Sequence, residues 1–233
     1  MSWLIPRRRP CREMLDDLDL APEEMARSLR DLELVNGKWG GSRALDRYLL
    51  PLIRAAEQDH FVLLDVGAGS GAVARTLARR ISLAGRGATV VGVDIQWRHL
   101  AAGRASGDRR PPALAADAFS LPLPDGGADW VVSTLMFHHF SPEENRALLR
   151  EFARVARRGF ALLDLRRHLF PWIFVSVAGP LVFESLASRH DGPASVMQAY
   201  TPQEARAIVG EAVPGSRVES VFPYRMLITG PGA

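Results

Sequence analysis

Short apolar runs alternate along this chain with longer stretches in which apolar side chains recur at helical spacing. The first run, Phe61–Leu64, contains no polar residue, and further runs follow up to Leu165. Runs of this kind are typical of strands that helices cover on both faces. Two later stretches, Ser216–Val221 and Arg225–Thr229, alternate in polarity, which indicates an antiparallel hairpin. The pattern therefore predicts an α/β fold with a mostly parallel sheet.

The residues before the first strand predict a helical N-terminal part. Apolar spacing indicates helices over Met14–Leu34 and from Arg43 to about Gln58. Residues 1–12 are rich in Arg and Pro, and we expect a loose arm there. The segment Asn36–Arg43 is predicted to be a loop, which either contacts a ligand or merely connects two helices. We therefore divide the 233 residues into an arm with cap helices and a core. The predicted boundaries are residues 1–58 and 59–233.

A second group of helices is expected after the fifth apolar run. Residues 169–183 carry no charge, and Arg189–Pro193 has the composition of a polar turn. We interpret residues 166–200 as a helical lid over an apolar pocket, with a homodimer contact as the alternative. Pro171, Gly179 and Pro180 interrupt the uncharged segment, which is also shorter than the ~20 residues of a membrane-spanning helix, so no stable span is expected.

A glycine-rich turn follows the first strand. Gly67, Gly69 and Gly71 alternate behind Asp65, and a predicted helix begins at Ala72. Glycines let the backbone approach a ligand, and a helix N-terminus presents free N–H groups to it. The same residues satisfy the dinucleotide pattern G-x-G-x-x-G/A, which leaves an NAD-dependent oxidoreductase open. An acid ahead of the turn would, however, repel a pyrophosphate.

This turn resembles motif I of class I S-adenosylmethionine methyltransferases, in which an acid suits the ammonium group of the methionine end. The run Leu121–Trp130 resembles the proline-rich loop that precedes strand four in that family, with Ala128 in place of Phe. The resemblance implies a Rossmann-like seven-stranded sheet closed by the C-terminal hairpin, and S-adenosylmethionine as cofactor with S-adenosylhomocysteine as product. Asp94 ends the second strand at the distance expected of a ribose-binding acid, and Asp117 is placed to bind the adenine amino group. The predicted cofactor-binding residues are Asp65, Gly67, Ala68, Gly69, Gly71, Asp94, Ile95, Asp117, Ala118, Ser133 and Thr134.

Two adjacent histidines follow the fourth strand. Paired histidines at this point recur in methyltransferases that act on small molecules and are similar to quinone-pathway enzymes. We predict His138 as a base, with His139 as the second choice, and Asp164 at the end of the next strand as the group that orients His138. The alternative, that both histidines are structural, stays open.

The C-terminal third resembles methyltransferases of bacterial polyketide-type metabolism. That resemblance implies O-methylation of a phenolic, enolic or pyrone-like hydroxyl on a small, fairly apolar molecule of secondary metabolism. Carbon methylation of a quinone-like or lipid substrate is an alternative, as is a binding module that has lost the reaction. Five residues that border the predicted lid either grip an acidic or oxygen-rich substrate group or form a solvated basic face. They are Arg166, Arg167, Arg189, His190 and Tyr200.

Composition and charge exclude several further functional classes. The net charge is only +3, and no aromatic residues interleave with the basic clusters, so we expect no nucleic-acid partner. Cys11 is the single cysteine, which excludes an intrachain disulfide and a cysteine-based zinc site. The scattered histidines and acids suggest no ligand set, and no metal is expected. The first residues lack the order of a signal peptide, so we expect a cytoplasmic protein.

Overall fold

The computed structural model describes residues 4–38, 41–103 and 111–233. Within these residues the chain forms a seven-stranded mixed sheet with helices on both faces. The strands are β1 His60–Val66, β2 Gly87–Asp94, β3 Ala113–Ala115, β4 Ala128–Thr134, β5 Ala156–Leu165, β6 Arg217–Val221 and β7 Arg225–Pro231. The helices are α1 Pro22–Lys38, α2 Gly41–Ala55, α3 Ala72–Leu83, α4 Trp97–Ala102, α5 Pro142–Val155, α6 Leu169–Val182, α7 Leu186–Gln198 and α8 Pro202–Ala212.

The strand order is β3-β2-β1-β4-β5-β7-β6. Strands β1 to β5 pair in parallel, whereas β7 runs antiparallel to both β5 and β6. The predicted Rossmann-like sheet and its C-terminal hairpin are thus confirmed. The order reverses between β1 and β4, and ligands of open α/β sheets bind beyond the carboxyl ends of the strands at such a point.

The strands bury side chains on both faces, as their apolar runs predicted. In β1, Leu63 contributes to the core under α2 and α3, while Leu64 contributes to the core under α5 and α8. Successive side chains of a strand point to opposite faces, so one continuous apolar run serves both layers. The sheet is therefore covered by packed helices on both faces.

The N-terminal part differs from the prediction. Residues Met14–Asp16 form only a short 3-10 turn, and α1 begins at Pro22 and continues through Asn36 and Gly37. The predicted loop Asn36–Arg43 is therefore wrong at its first residues, because packing of α1 across the sheet edge outweighs the weak helix propensity of Asn and Gly. Residues 39–40 of that loop lie outside the described residues, and α2 already begins at Gly41.

The arm is also not loose where the structure describes it. The guanidinium of Arg8 donates hydrogen bonds to the backbone oxygens of His138, Phe140 and Gln198 and lies 4.2 Å from the ring centre of Tyr200. Charge-assisted bonds of this kind are about twice as strong as neutral ones. They fix the arm against the loop that follows β4.

Helix α6 covers the uncharged residues 169–183 as far as Val182, and α7 follows closely. The predicted polar turn Arg189–Pro193 is wrong, because these residues lie inside α7. Gly192 is needed there since a Cβ at this position would come within 2.8 Å of Val175 Cγ1 on α6. The side chain of Asp191 accepts hydrogen bonds from the backbone N–H groups of Met14 and Leu15. Among the described residues, no helix is both long and apolar enough to cross a membrane.

Candidate active site at the carboxyl edge of the sheet

The glycine turn after β1 has the conformation that only glycine adopts easily. Gly67, Gly69 and Gly71 have φ angles of 73°, 52° and 75°, in the left-handed region. A Cβ on Gly67 would lie 2.8 Å from the sulfur of Met136. Gly67, Ala68 and Gly69 line a large cavity, whereas Gly71 precedes α3 and does not line it. The turn is therefore a bare backbone floor at one end of that cavity.

The structure places Asp65 away from this cavity. Its side chain is buried, and Oδ2 accepts a hydrogen bond from the backbone N–H of Ala74 at 3.0 Å. Oδ1 has no hydrogen-bond partner among the described residues. Burial, with a smaller contribution from the charge of Asp94, raises the pKa of Asp65 to about 7. Asp65 therefore does not face a ligand in the cavity, contrary to the prediction. Its carboxyl group instead links the end of β1 to α3.

The acids that end β2 and follow β3 do face the cavity. Asp94 Oδ2 accepts a hydrogen bond from the N–H of Gly69, and Oδ1 accepts one from Gln96, each at 2.8 Å. Asp117 Oδ1 accepts one from the N–H of Phe119 at 2.9 Å. Ile95, 70% exposed, lines the cavity beside Asp94. Asp94 therefore shapes the glycine floor and presents its carboxylate at the same edge.

Ser133 and Thr134, two of the predicted cofactor residues at the end of β4, have different surroundings. Thr134 lines the cavity, as does Ala118 after β3, but Ser133 is buried within the sheet and its hydroxyl contacts the sulfur of Met136 at 3.4 Å. Leu135 then takes a φ of 55°, which is unusual for a residue with a side chain. This backbone turn directs the following residues across the cavity mouth.

The cavity has a volume of about 1460 Å³. Its floor is the carboxyl edge of the sheet, and its walls come from α1, α6 and α7. Glu33 of α1 accepts hydrogen bonds from Ser70 Oγ at 2.5 Å and Arg75 Nη2 at 3.0 Å, which fastens α1 to the glycine turn. Helix α1, which precedes the first strand, therefore forms one wall of the cavity.

His138 is buried between two carboxylates. Its Nδ1 lies 2.7 Å from Asp164 Oδ1, and its Nε2 lies 3.4 Å from Glu13 Oε1. Asp164 also accepts a hydrogen bond from the backbone N–H of His138 at 3.0 Å. Burial alone would lower the pKa of His138, but the charge and hydrogen bond of Asp164 and the charge of Glu13 raise it to about 10. The two carboxylates therefore favour the protonated form of His138 as long as no other cation lies between them, and in that form the ring has no free lone pair with which to accept a proton.

His139 completes this cluster from the more exposed side. Its Nε2 lies 3.7 Å from Glu13 Oε2, and its Nδ1 lies 3.3 Å from Asp16 Oδ2. The pairing of His138 with Asp164 has the predicted geometry. The role of His138, or of His139, as a base stays a prediction, which the charge on His138 does not favour.

The five predicted substrate residues do not line the cavity. Arg167 is buried elsewhere and pairs with Glu204 at 2.6 Å. Tyr200 donates its hydroxyl to the backbone oxygen of Phe140 at 2.7 Å. Arg189 Nε donates to the backbone oxygen of Phe183, His190 pairs with Asp191, and the Arg166 guanidinium lies over the ring of Tyr224. Only Arg189 and His190 lie in a helix of the lid, whereas Arg166, Arg167 and Tyr200 lie in the connections at its two ends.

Glu13 and Arg225 are among the charged cavity residues that the sequence did not indicate. Glu13 lies between the arm expected over residues 1–12 and the helix predicted from Met14, and Arg225 begins β7, which was predicted only as a strand of the C-terminal hairpin. Arg225 is 2% exposed, lines the cavity, and its Nη1 has no hydrogen-bond partner among the described residues. Burial lowers the pKa of Arg225 to about 10, an effect that the nearby charge of Asp164 opposes. No local sequence signal marks either residue, since both depend on tertiary position.

Comparisons with known proteins agree with this geometry. Residues 64–163 match a family model described as a methyltransferase domain. The chain is 29% identical over 178 residues to an uncharacterized methyltransferase of Mycobacterium tuberculosis, covering 72% of this chain and 85% of that protein. A SAM-dependent methyltransferase from Aquifex aeolicus has a TM-score of 0.60 at 20% identity, covering 91% and 98% of the two chains. The CMeT domain of the citrinin polyketide synthase has a TM-score of 0.63 at 18% identity, covering 85% and 53%.

The sheet order, the glycine turn and the methyltransferase domain matched by residues 64–163 together support a class I S-adenosylmethionine-dependent methyltransferase. The residues present fit that cofactor. The side-chain-free floor at Gly67 and Gly69 admits the methionine end, and the carboxylate of Asp94 is the acceptor that ribose hydroxyls require. Ile95 and Asp117 lie on the side where the adenine ring would be held.

Proposed function

We propose that this methyltransferase acts on a small, largely apolar molecule of secondary metabolism, at a phenolic, enolic or pyrone-like hydroxyl. The observation that carries the proposal is one cavity that joins the glycine turn to the uncharged helix α6. Sites for a single small ligand usually occupy roughly 300–1,000 Å³. A cavity of about 1460 Å³ therefore has room for the cofactor and a second small molecule together.

The wall opposite the glycine turn favours an apolar acceptor. Phe170, Ile173, Phe174 and Val177 of α6 line the cavity, and each keeps much of its surface exposed. Covering such surface with a ligand stabilises the complex by about 25 cal/mol per Å². A flat aromatic or pyrone ring laid against these side chains would bury apolar surface on both partners.

An ionised hydroxyl needs a positive partner, and Arg225 supplies one. It lies at the start of β7, opposite Leu165 of β5, and so belongs to the acceptor side of the cavity and not to the nucleoside side near β2. A buried guanidinium lowers the pKa of an adjacent acidic hydroxyl and holds the resulting anion in place. Bound S-adenosylmethionine would supply a methyl group activated by its positively charged sulfur, with S-adenosylhomocysteine as the leaving group. The task of the protein is to hold the acceptor oxygen in line with the carbon–sulfur bond.

The proposal is tested by transfer from labelled S-adenosylmethionine to a panel of phenols, enols, pyrones and quinones. We expect a methyl ether of a phenol, enol or pyrone, identified by NMR. A product methylated at carbon would replace this proposal with the carbon-methylation alternative, and turnover of quinones alone would do the same.

A matched pair of variants tests the acceptor wall. Phe174→Ala removes a ring that lines the cavity, whereas Leu181→Ala changes a residue of the same helix that is 88% exposed and lies outside the cavity. We expect Phe174→Ala to raise the KM for the acceptor severalfold, with the KM for S-adenosylmethionine unchanged. Leu181→Ala should leave both constants unchanged. Equal effects of the two variants would argue against an acceptor on α6.

A further inference from the structure

Three side chains at the cavity mouth present their ligand atoms to one another. Glu13 Oε1 lies 3.4 Å from His138 Nε2, and Glu13 Oε2 lies 3.7 Å from His139 Nε2. One ligand atom from each of the three residues lies within 4.8 Å of the ligand atoms of the other two. Nitrogen and oxygen ligands held at about 2.1 Å from one tetrahedral ion are separated by about 3.4 Å. The two measured distances to Glu13 are therefore close to the spacing of ligands that share one metal ion.

The opposite nitrogen of each ring lies near a carboxylate. His138 Nδ1 lies 2.7 Å from Asp164 Oδ1, and His139 Nδ1 lies 3.3 Å from Asp16 Oδ2. Metal-binding histidines almost always have such a partner, because it fixes the ring and leaves Nε2 as the ligand atom. Here Asp164 has this role for His138, Asp16 lies near Nδ1 of His139 without a hydrogen bond, and both Nε2 atoms turn towards Glu13.

Glu13 is itself held in position. Its Oε1 accepts hydrogen bonds from Ser195 Oγ at 2.5 Å and from Gln198 Nε2 at 2.6 Å, both on α7. A carboxylate that is oriented by further hydrogen bonds is typical of metal ligands. The segment that carries Glu13 is thus attached to α7 by these two hydrogen bonds.

The Nε2 atom of His138 supplies an independent observation. The residue is 2% exposed, and this nitrogen has no hydrogen-bond partner among the described residues. Its 3.4 Å contact with Glu13 does not have hydrogen-bond geometry. A buried polar atom without a partner costs about 1–3 kcal/mol, so such atoms are rare unless something else occupies the site.

The local charge also favours a cation. Glu13, Asp16 and Asp164 contribute three carboxylates around two imidazole rings. Glu13 and both histidines line the cavity, so that an ion bound by the three would keep an open position facing it. Two histidines and one glutamate with an open fourth position are a ligand set of catalytic zinc sites.

We propose that Glu13, His138 and His139 form a binding site for one divalent ion of the zinc type. The bound ion is directed at the acceptor, where its open position takes an oxygen atom; this use of the ion rests on the proposed function, whereas its binding does not. This proposal departs from the expectation, drawn from the sequence, that the protein binds no metal. Glu13 could not be connected to the histidines before the fold placed the arm beside the turn that follows β4.

The test uses the full chain after removal of metals with a chelator. Zn²⁺ binding is measured by calorimetry, and Co²⁺ binding by the visible absorption that this ion gains with nitrogen ligands. The variants are Glu13→Gln and His139→Ala, which change the two ligands whose loss leaves His138 paired with Asp164. The matched control is His190→Ala, since His190 is exposed and lies outside the cavity.

We expect one equivalent of Zn²⁺ in the wild type and in His190→Ala, and at least tenfold weaker binding in Glu13→Gln and His139→Ala. Circular dichroism of each variant establishes that it is folded. Equal affinity in all four proteins, or no stoichiometric binding in the wild type, would overturn the proposal. S-adenosylhomocysteine binding is measured on the same samples. If it persists without metal binding, only the metal site fails; metal binding without it would instead count against the proposed function.

Discussion

The glycine floor of the cavity gives a sharp prediction through the pair Gly67→Ala and Gly85→Ala. Both glycines have a positive φ, 73° and 78°, so that a side chain at either position costs about 1–2 kcal/mol of stability. Only Gly67 faces the cavity. Its added Cβ would meet Met136 Sδ at 2.8 Å, whereas a Cβ on Gly85 would find no atom within 4 Å.

The difference in stability between the two variants measures the effect of the close contact with Met136. Overpacking a close contact adds about 1–3 kcal/mol, moderated here because a methionine side chain is flexible. We therefore expect a loss of about 2–5 kcal/mol in Gly67→Ala and of about 1–2 kcal/mol in Gly85→Ala. Because Gly67 lies where the backbone must approach the methionine end, S-adenosylhomocysteine should bind at least tenfold more weakly to Gly67→Ala alone.

Urea unfolding gives the stabilities, and calorimetry gives the dissociation constants for S-adenosylhomocysteine. The reasoning is refuted if Gly67→Ala binds S-adenosylhomocysteine as tightly as the wild type. It is equally refuted if Gly85→Ala weakens binding to the same extent, because strain in the backbone would then explain both results.

Three further predictions concern single side chains. Asp94→Asn removes a charged acceptor and should weaken S-adenosylhomocysteine binding tenfold or more, as measured by calorimetry; unchanged affinity would remove Asp94 from the cofactor site. Asp65 has a pKa raised to about 7, so folding retains its proton between about pH 4 and 7 while the unfolded chain loses it. Stability therefore falls as pH rises through this window, by on the order of 4 kcal/mol in total, and urea unfolding of Asp65→Asn should lack this component. Thr201→Ala removes the capping box of α8 and should cost about 1 kcal/mol without changing cofactor affinity, and a change in affinity would contradict the remote placement of this cap.

The sheet was predictable because its signals are local. The run Phe61–Leu64 is apolar since both faces of β1 are covered, and the glycines that follow are required by their φ angles. The capping boxes that begin at Ser141 and Thr201 are local features of the same kind, because the capping residue and its partner lie three positions apart. Each of these features is decided by neighbours along the chain.

The lid and the arm were predicted less well because distant contacts decide them. Arg189–Pro193 has the composition of a turn, yet Gly192 sits in a helix where α6 approaches too closely for a side chain. Arg167 and Arg225 are chemically alike, and only the fold shows that Glu204 neutralises the first while the second lines the cavity. Glu13 has no local pattern, since its position is set by His138, Ser195 and Gln198.

Equilibrium binding to the full chain tests the central claim most directly. A calorimetric titration with S-adenosylhomocysteine should give one equivalent of binding that S-adenosylmethionine displaces, while NAD under the same conditions should give no binding heat. Binding of NAD without binding of S-adenosylhomocysteine would contradict the account.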